Sequence, residues 1–136
     1  MPKRPENNST FIPLDDMGRI QEDKVQPEGT YDLVIKKAST VTSKKGNPML
    51  QVIIAFDGVE NAANIFHNIT LPTPDDDQKA MEFKKLLIAR FCQLFGIDYK
   101  KGLNLEDFPG ATAVCKVSEK EYEGAISNVL VLPSLN

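Results

Sequence analysis

Three apolar segments with a period of two, one with a helical period, and two more with a period of two follow one another along this chain. That order leaves few folds open. Tyr31, Leu33 and Ile35 alternate with Asp32, Val34 and Lys36, as in a half-buried strand. Leu50, Val52, Ile54 and Phe56 share one face of a second strand at residues 49–56. In NIFHNITLP, residues 64–72, Ile65, His67, Ile69 and Leu71 fall on one side of a third strand and Phe66 on the other. The first two strands are separated by TSKKGNP, residues 42–48, whose Gly and Asn tolerate positive φ and whose Pro stops ladder pairing; Lys44 and Lys45 sit at its tip. Asp57-Gly58 marks the next turn.

The period then switches. Residues 73–96, TPDDDQKAMEFKKLLIARFCQLFG, predict an amphipathic helix with Thr73 as N-cap, Pro74 at the first helical position, three aspartates in the first turn and Gly96 just past the end. Phe83, Leu86, Leu87, Phe91 and Leu94 recur at helical spacing, and Met81, Ile88, Cys92 and Phe95 widen that stripe, so more than one side of the helix is covered. After the loop IDYKKGLNLEDFPG, strands are expected at residues 111–117 and 125–132, joined by a hairpin over SEKEYEG. This is the element order of the OB-fold. The expected fold class is therefore mainly β, a five-stranded OB-fold barrel over residues 29–136 with one amphipathic helix between strands 3 and 4. Other β+α domains share the order, and topology alone does not separate them.

Residues 1–28, rich in Pro, Asn, Asp and Glu, read as a flexible N-terminal arm. Within it, Phe11, Ile12 and Leu14 are placed to dock on the body or on a partner, or they belong to a disordered tail with a few apolar residues. The length is that of one ordinary domain, and a hydrophobic content of 41% is enough for a single core. Cys92 and Cys115 lie in apolar periodic segments without metal or redox spacing, so they read as reduced core residues. No apolar run approaches the roughly 18–20 residues that cross a bilayer, and the opening MPKRPENNST lacks the apolar stretch of a signal peptide. The expectation is a cytoplasmic protein with no membrane association.

Charge is distributed unevenly. Residues 33–56 hold Lys36, Lys37, Lys44 and Lys45 and no carboxylate, although the formal net charge is −3 and there are 19 acidic residues elsewhere. One face kept positive in an acidic chain points to a polyanion; the competing explanation is a set of solvated turn lysines that blunt strand edges. Catalysis lacks its usual components. His67 is the single histidine and lies in an alternating strand, where a packed role is favoured. Asp75, Asp76 and Asp77 suit the helix dipole without any metal. The glycines are scattered among turns and form no phosphate loop. What remains is a lysine-bearing hairpin with aromatics near it: Tyr31, Phe56, Phe66 and Tyr122. Single-strand binders combine such a positive groove with rings on which bases stack. Strand aromatics mostly face inward, but Tyr122 lies between Glu121 and Glu123, where burial is awkward.

The stretch EGTYDLVIKKASTVTSKKGNPMLQVIIAFDG, residues 28–58, resembles the opening motif of a family of small tailed-phage proteins long catalogued as of unknown function and found among replication and recombination genes. Some members and relatives are OB-fold single-stranded DNA-binding proteins. FKKLLIARFCQLFGI and FPGATAVCKVSEKEYEGAISNVLVL are similar to that family's helix and terminal hairpin, so the resemblance covers about residues 28–132. It implies a DNA groove flanked by the Lys44-Lys45 hairpin and the Tyr122 hairpin. Bacterial single-strand binders end in an acidic tail that recruits repair enzymes, whereas this sequence ends VLVLPSLN, and that recruitment role is not carried over.

The expected protein is a non-enzymatic binder of single-stranded DNA in phage replication or recombination, with little sequence specificity and no metal or cofactor. Its candidate contacts are Lys36, Lys37, Lys44, Lys45, Phe66, Lys116, Lys120 and Tyr122. Further expected partners are phage or host replication and recombination proteins, and the expected state is a monomer or small homo-oligomer. The alternatives are a protein-interaction adaptor whose lysines serve solubility, and a small virion component.

Overall fold

The computed structural model describes residues 10–136. Strands β1 (Gly29–Thr42), β2 (Pro48–Phe56), β3 (Ile65–Thr70), β4 (Thr112–Tyr122) and β5 (Ala125–Val131) form one antiparallel sheet in the order β3-β2-β1-β4-β5. Among the described residues a single α-helix, α1 (Gln78–Phe95), connects β3 to β4. The longest strand is also the central one: β1 pairs with β4 over its first half and with β2 from Leu33 onward. The edge strands β3 and β5 approach within 8 Å, Cα to Cα, yet no pairing joins them. The fold is therefore mainly β as expected, one five-stranded antiparallel sheet with one α-helix among the described residues, and the sheet is open where the expected barrel would close.

Alternation places Leu33, Ile35, Leu50, Val52, Ile54, Ile65, Ile69, Cys115 and Val117 on one face of the sheet, all buried. Against them α1 packs Phe91, Cys92 and Phe95, and Phe108 completes the core from the loop before β4. His67 also lies on this inner side, half-buried and stacked on Phe91 with ring centroids 5.0 Å apart. Both cysteines are free thiols in the core, and burial pushes the Cys92 thiol up to about 11. No helix among the described residues is long and apolar enough to cross a membrane.

Three element boundaries differ from the sequence expectation. β1 continues past Lys36 to Thr42 because a bulge lies between Ile35 and Lys37. Without it, strict alternation would turn Lys37 toward the core; the extra residue leaves Lys36 and Lys37 both exposed opposite Ile53 and returns Ala38 and Thr40 to the inner face. β4 runs through to Tyr122, so most of the expected SEKEYEG loop is strand, and only Glu123 and Gly124 turn the chain. Both have positive φ, 50° and 83°, as a tight two-residue hairpin requires.

The third difference is the helix start. Thr73 and Asp76 close a turn of their own, with the Thr73 amide donating to Asp76 Oδ2 (2.8 Å) and the Asp76 amide donating to the Thr73 carbonyl (3.1 Å). A short acidic side chain bonded to the backbone competes with helix formation. The cap therefore falls on Asp77, whose Oδ1 accepts from the Ala80 amide (2.7 Å). The far end is as expected: Gly96 adopts the left-handed conformation, and its N–H reaches the carbonyls of Cys92 and Gln93.

Of the expected arm, residues 1–9 lie outside the described residues. The remainder contains one 3-10 turn, Met17–Arg19, and is tethered further on. The Lys24 amide donates to the Asn61 carbonyl (2.7 Å), and the Lys24 carbonyl accepts from Ala63 (2.9 Å). Gln26 is held by Asn128: its amide donates to Asn128 Oδ1 (2.8 Å), and Asn128 Nδ2 donates to the Gln26 carbonyl (2.9 Å) and to that of Ser118 (3.2 Å). Asn128 is thus a buried polar side chain with its bonding capacity used. Upstream of the tether, Ile12, Leu14, Met17 and Ile20 are exposed.

Candidate nucleic-acid interface

The cross-strand register defines which side chains share the outer face, away from α1. Phe66 lies opposite Ile53, and Ile53 opposite the Lys36-Lys37 bulge. The next row on this side is Asn68, Gln51 and Ser39. Toward the other edge, Lys116 lies opposite both Thr30 and Val131, Lys120 opposite Ser127, and Tyr122 opposite Ala125. Directly paired residues point to the same side, so Lys36, Lys37, Phe66, Lys116, Lys120 and Tyr122 all belong to this one surface.

Alternation also segregates charge. The strand register places four lysines on the outer face and a single carboxylate, Asp32. Glu119 and Glu121 sit on the opposite side of β4, and Glu123 is in the turn. Glu121, the acidic strand neighbour of Tyr122, is thereby directed away from the surface that the ring occupies. None of the six candidate lysines makes an ion pair among the described residues; those found are Arg19–Asp16 and Lys84–Asp76. An exposed, unpaired lysine remains available to an incoming phosphate.

Lys44 and Lys45 project from the β1–β2 turn. The Ser43 carbonyl accepts from the Gly46 amide (2.9 Å) and the Ser43 amide donates to the Asn47 carbonyl (2.8 Å), while Ser43 Oγ accepts from the Asn47 amide (3.0 Å). Because β4 is antiparallel to β1, this tip and the β4–β5 tip leave the sheet at opposite ends of β1. They bracket the outer face lengthwise.

The aromatics divide between the two sides. Phe66 is 58% exposed and Tyr122 71% exposed, both on the outer face. Phe56 is buried, and Tyr31 packs edge-on against it at 4.9 Å while its hydroxyl donates to the Pro27 carbonyl (2.6 Å). Ile53, Val114, Gln51 and Asn68 belong to the surface without having been singled out from the sequence. Their signal was the parity opposite the core positions of the same strands.

The groups with catalytic or metal-binding potential are engaged elsewhere. Burial pulls the His67 pKa down to about 4, so the ring is neutral at physiological pH, and it faces the core. Asp76 is held below the usual carboxylate range first by its hydrogen bond from Lys84 (2.8 Å), and Asp77 caps α1. Among the described residues no group of three or more His, Cys, Asp or Glu could hold a metal ion. The surface offers cations and rings, which is chemistry for binding a polyanion.

No curated protein matches the chain. A protein-family profile matches residues 16–121, from the arm to the penultimate residue of β4, and its description is "Protein of unknown function (DUF669)". By that match the chain belongs to the DUF669 family.

Proposed function

We propose that the outer face binds single-stranded DNA without catalysing a reaction. The observation that carries this reading is the segregation of charge: four unpaired lysines and two exposed rings share a face with one carboxylate, in a chain of net charge −3. The strand order, the helix between β3 and β4, and the near approach of β3 to β5 support an OB-fold whose last seam is unpaired. Phosphates are neutralised by Lys36, Lys37, Lys116 and Lys120, and bases stack on Phe66 and Tyr122. Stacking accepts any base, so sequence preference is weak. A place in phage DNA replication or recombination follows from the family resemblance of residues 28–132. The deciding experiment is binding of labelled single-stranded and duplex oligonucleotides across a salt series; equal affinity for the two forms would exclude the proposal.

Lys44 and Lys45 reach phosphates from the hairpin tip. The double variant Lys44→Ala, Lys45→Ala is expected to weaken binding to all sequences alike. It should flatten the dependence of log K on log salt by up to about 1 to 2, at roughly 0.7 per phosphate contact on a single strand. An unchanged slope would return both lysines to a solubility role.

For Tyr122, exposure removes the alternative of a buried anchor. Tyr122→Ala is expected to lose about 1–3 kcal/mol of single-strand affinity, the usual worth of a base stack. Its melting temperature should match the parent because no core volume is removed. Unchanged affinity with intact stability would take Tyr122 out of the interface.

A further inference from the structure

Behind the sheet, at the end where β1 turns into β2, a cleft of about 920 Å³ opens between α1, the sheet and the loop over residues 99–105. Leu71, Ile88, Leu103 and Leu105 give it apolar walls, and Lys85 and Lys100, both exposed, stand along it. Its volume lies near the top of the roughly 300–1,000 Å³ range of ligand sites, enough for several residues of an extended peptide.

We propose that this cleft receives the N-terminal arm of a second copy of the chain, in reciprocal exchange. The arm has the complementary chemistry. Ile12, Leu14, Met17 and Ile20 are 75%, 64%, 57% and 72% exposed, a density of uncovered apolar side chains that marks a contact surface. Asp15 and Asp16 follow Leu14 directly and provide the negative charge that Lys85 and Lys100 call for. Asp16 is shared with Arg19 at 3.8 Å, an exposed and weak pair, and Asp15 has no ion-pair partner among the described residues. Lys84, next to Lys85, is already engaged by Asp76 and does not compete.

The geometry favours a second copy over the arm's own body. The arm is tethered at Lys24 beside Ala62, and upstream of that point Ile12, Leu14, Met17 and Ile20 stay exposed in the single chain and do not cover its own cleft. Two arms and two clefts related by a twofold axis satisfy each other completely, so the exchange closes as a dimer and does not propagate. The outer face of the sheet is not used, and the exchange stands independently of DNA binding.

The test is sedimentation equilibrium of the full chain from micromolar to near-millimolar concentration. A concentration-dependent dimer is expected. Ile12→Asp with Leu14→Asp should raise its dissociation constant at least about tenfold, since two apolar anchors are lost. Both positions are exposed, so an unchanged melting temperature verifies that the variant is folded. Asp15→Lys with Asp16→Lys should also dissociate the dimer, and adding Lys85→Glu with Lys100→Glu should restore it. A monomer at every concentration, as for an arm that docks on its own body or serves an unrelated partner, overturns the proposal. So does a dimer indifferent to the arm substitutions, or one that the paired charge reversal fails to restore.

Discussion

Phe91→Ala is expected to destabilise the fold by about 3–5 kcal/mol, the usual range for truncating a large core aromatic. Phe91 is completely buried and sits where the layers meet, with ring centroids 5.0 Å from His67 on β3, 4.9 Å from Phe95 on α1 and 6.2 Å from Phe108 in the loop before β4. Removing it opens a cavity whose walls belong to three separate segments, so collapse onto the gap is restricted. Urea titration measures the effect as a lowered midpoint with an unchanged slope. A loss below about 1 kcal/mol would mean that the site relaxes freely, contrary to the dense packing of a protein core.

The second large effect is a dependence on pH centred on His67. Burial lowers its pKa in the folded protein from 6.5 to about 4, with no charged partner to offset the desolvation. As pH falls below 6.5 the unfolded chain takes up the proton first. The contribution of the neutral ring is therefore complete above that pH and is lost progressively down to pH about 4. The full loss is up to about 3 kcal/mol, at about 1.4 kcal/mol for each tenfold change in proton affinity. Asp76, stabilised as a carboxylate by Lys84, adds a loss at lower pH in the same direction. Comparing the parent with His67→Phe isolates the histidine, because the replacement keeps a ring to stack on Phe91. Stability curves of the two that stay parallel from neutral pH down to about 4 would contradict this account.

Much of the architecture is legible in the residues themselves where alternation runs undisturbed. β2 and β3 follow it without a break, so Leu50, Val52, Ile54, Ile65 and Ile69 are read correctly as sharing one side of their strands and Phe66 as lying on the other, while the exposure of Phe66 shows only in the fold. Legibility fails where local chemistry competes with periodicity. The Lys36-Lys37 bulge interrupts the period in the middle of β1, and the Thr73–Asp76 turn takes the residues that resemble a helix start. Phe108 has no period around it and is recognisable as core only once the chain is folded. The stripe on α1 is rotated as well: Phe83, counted within it, is 59% exposed, while Ala89 is buried.

The candidate surface shows the same division. Lys116, Lys120 and Tyr122 share parity within β4, but the sequence expectation ended that strand at residue 117, so for Lys120 and Tyr122 the parity appears only in the fold. That they share a side with Phe66 and the Lys36-Lys37 pair depends on register across four strands, and register is a property of the assembled sheet. Extending β4 to Tyr122 also decides the direction of Glu121, which a loop would have left open.

The central position of β1 bears on the order in which the protein is made. Its partner β2 follows it immediately, while the strand on its other side, β4, is synthesised only after β3, α1 and the loop that carries Phe108. On the ribosome the β1–β2–β3 meander is therefore the first part able to assemble. Until β4 emerges, the first half of β1 presents an unpaired edge to any other extended segment nearby. The bonds that tie Gln26 to Asn128 must wait until β5 has been made, and they join a segment from the start of synthesis to one made near its close.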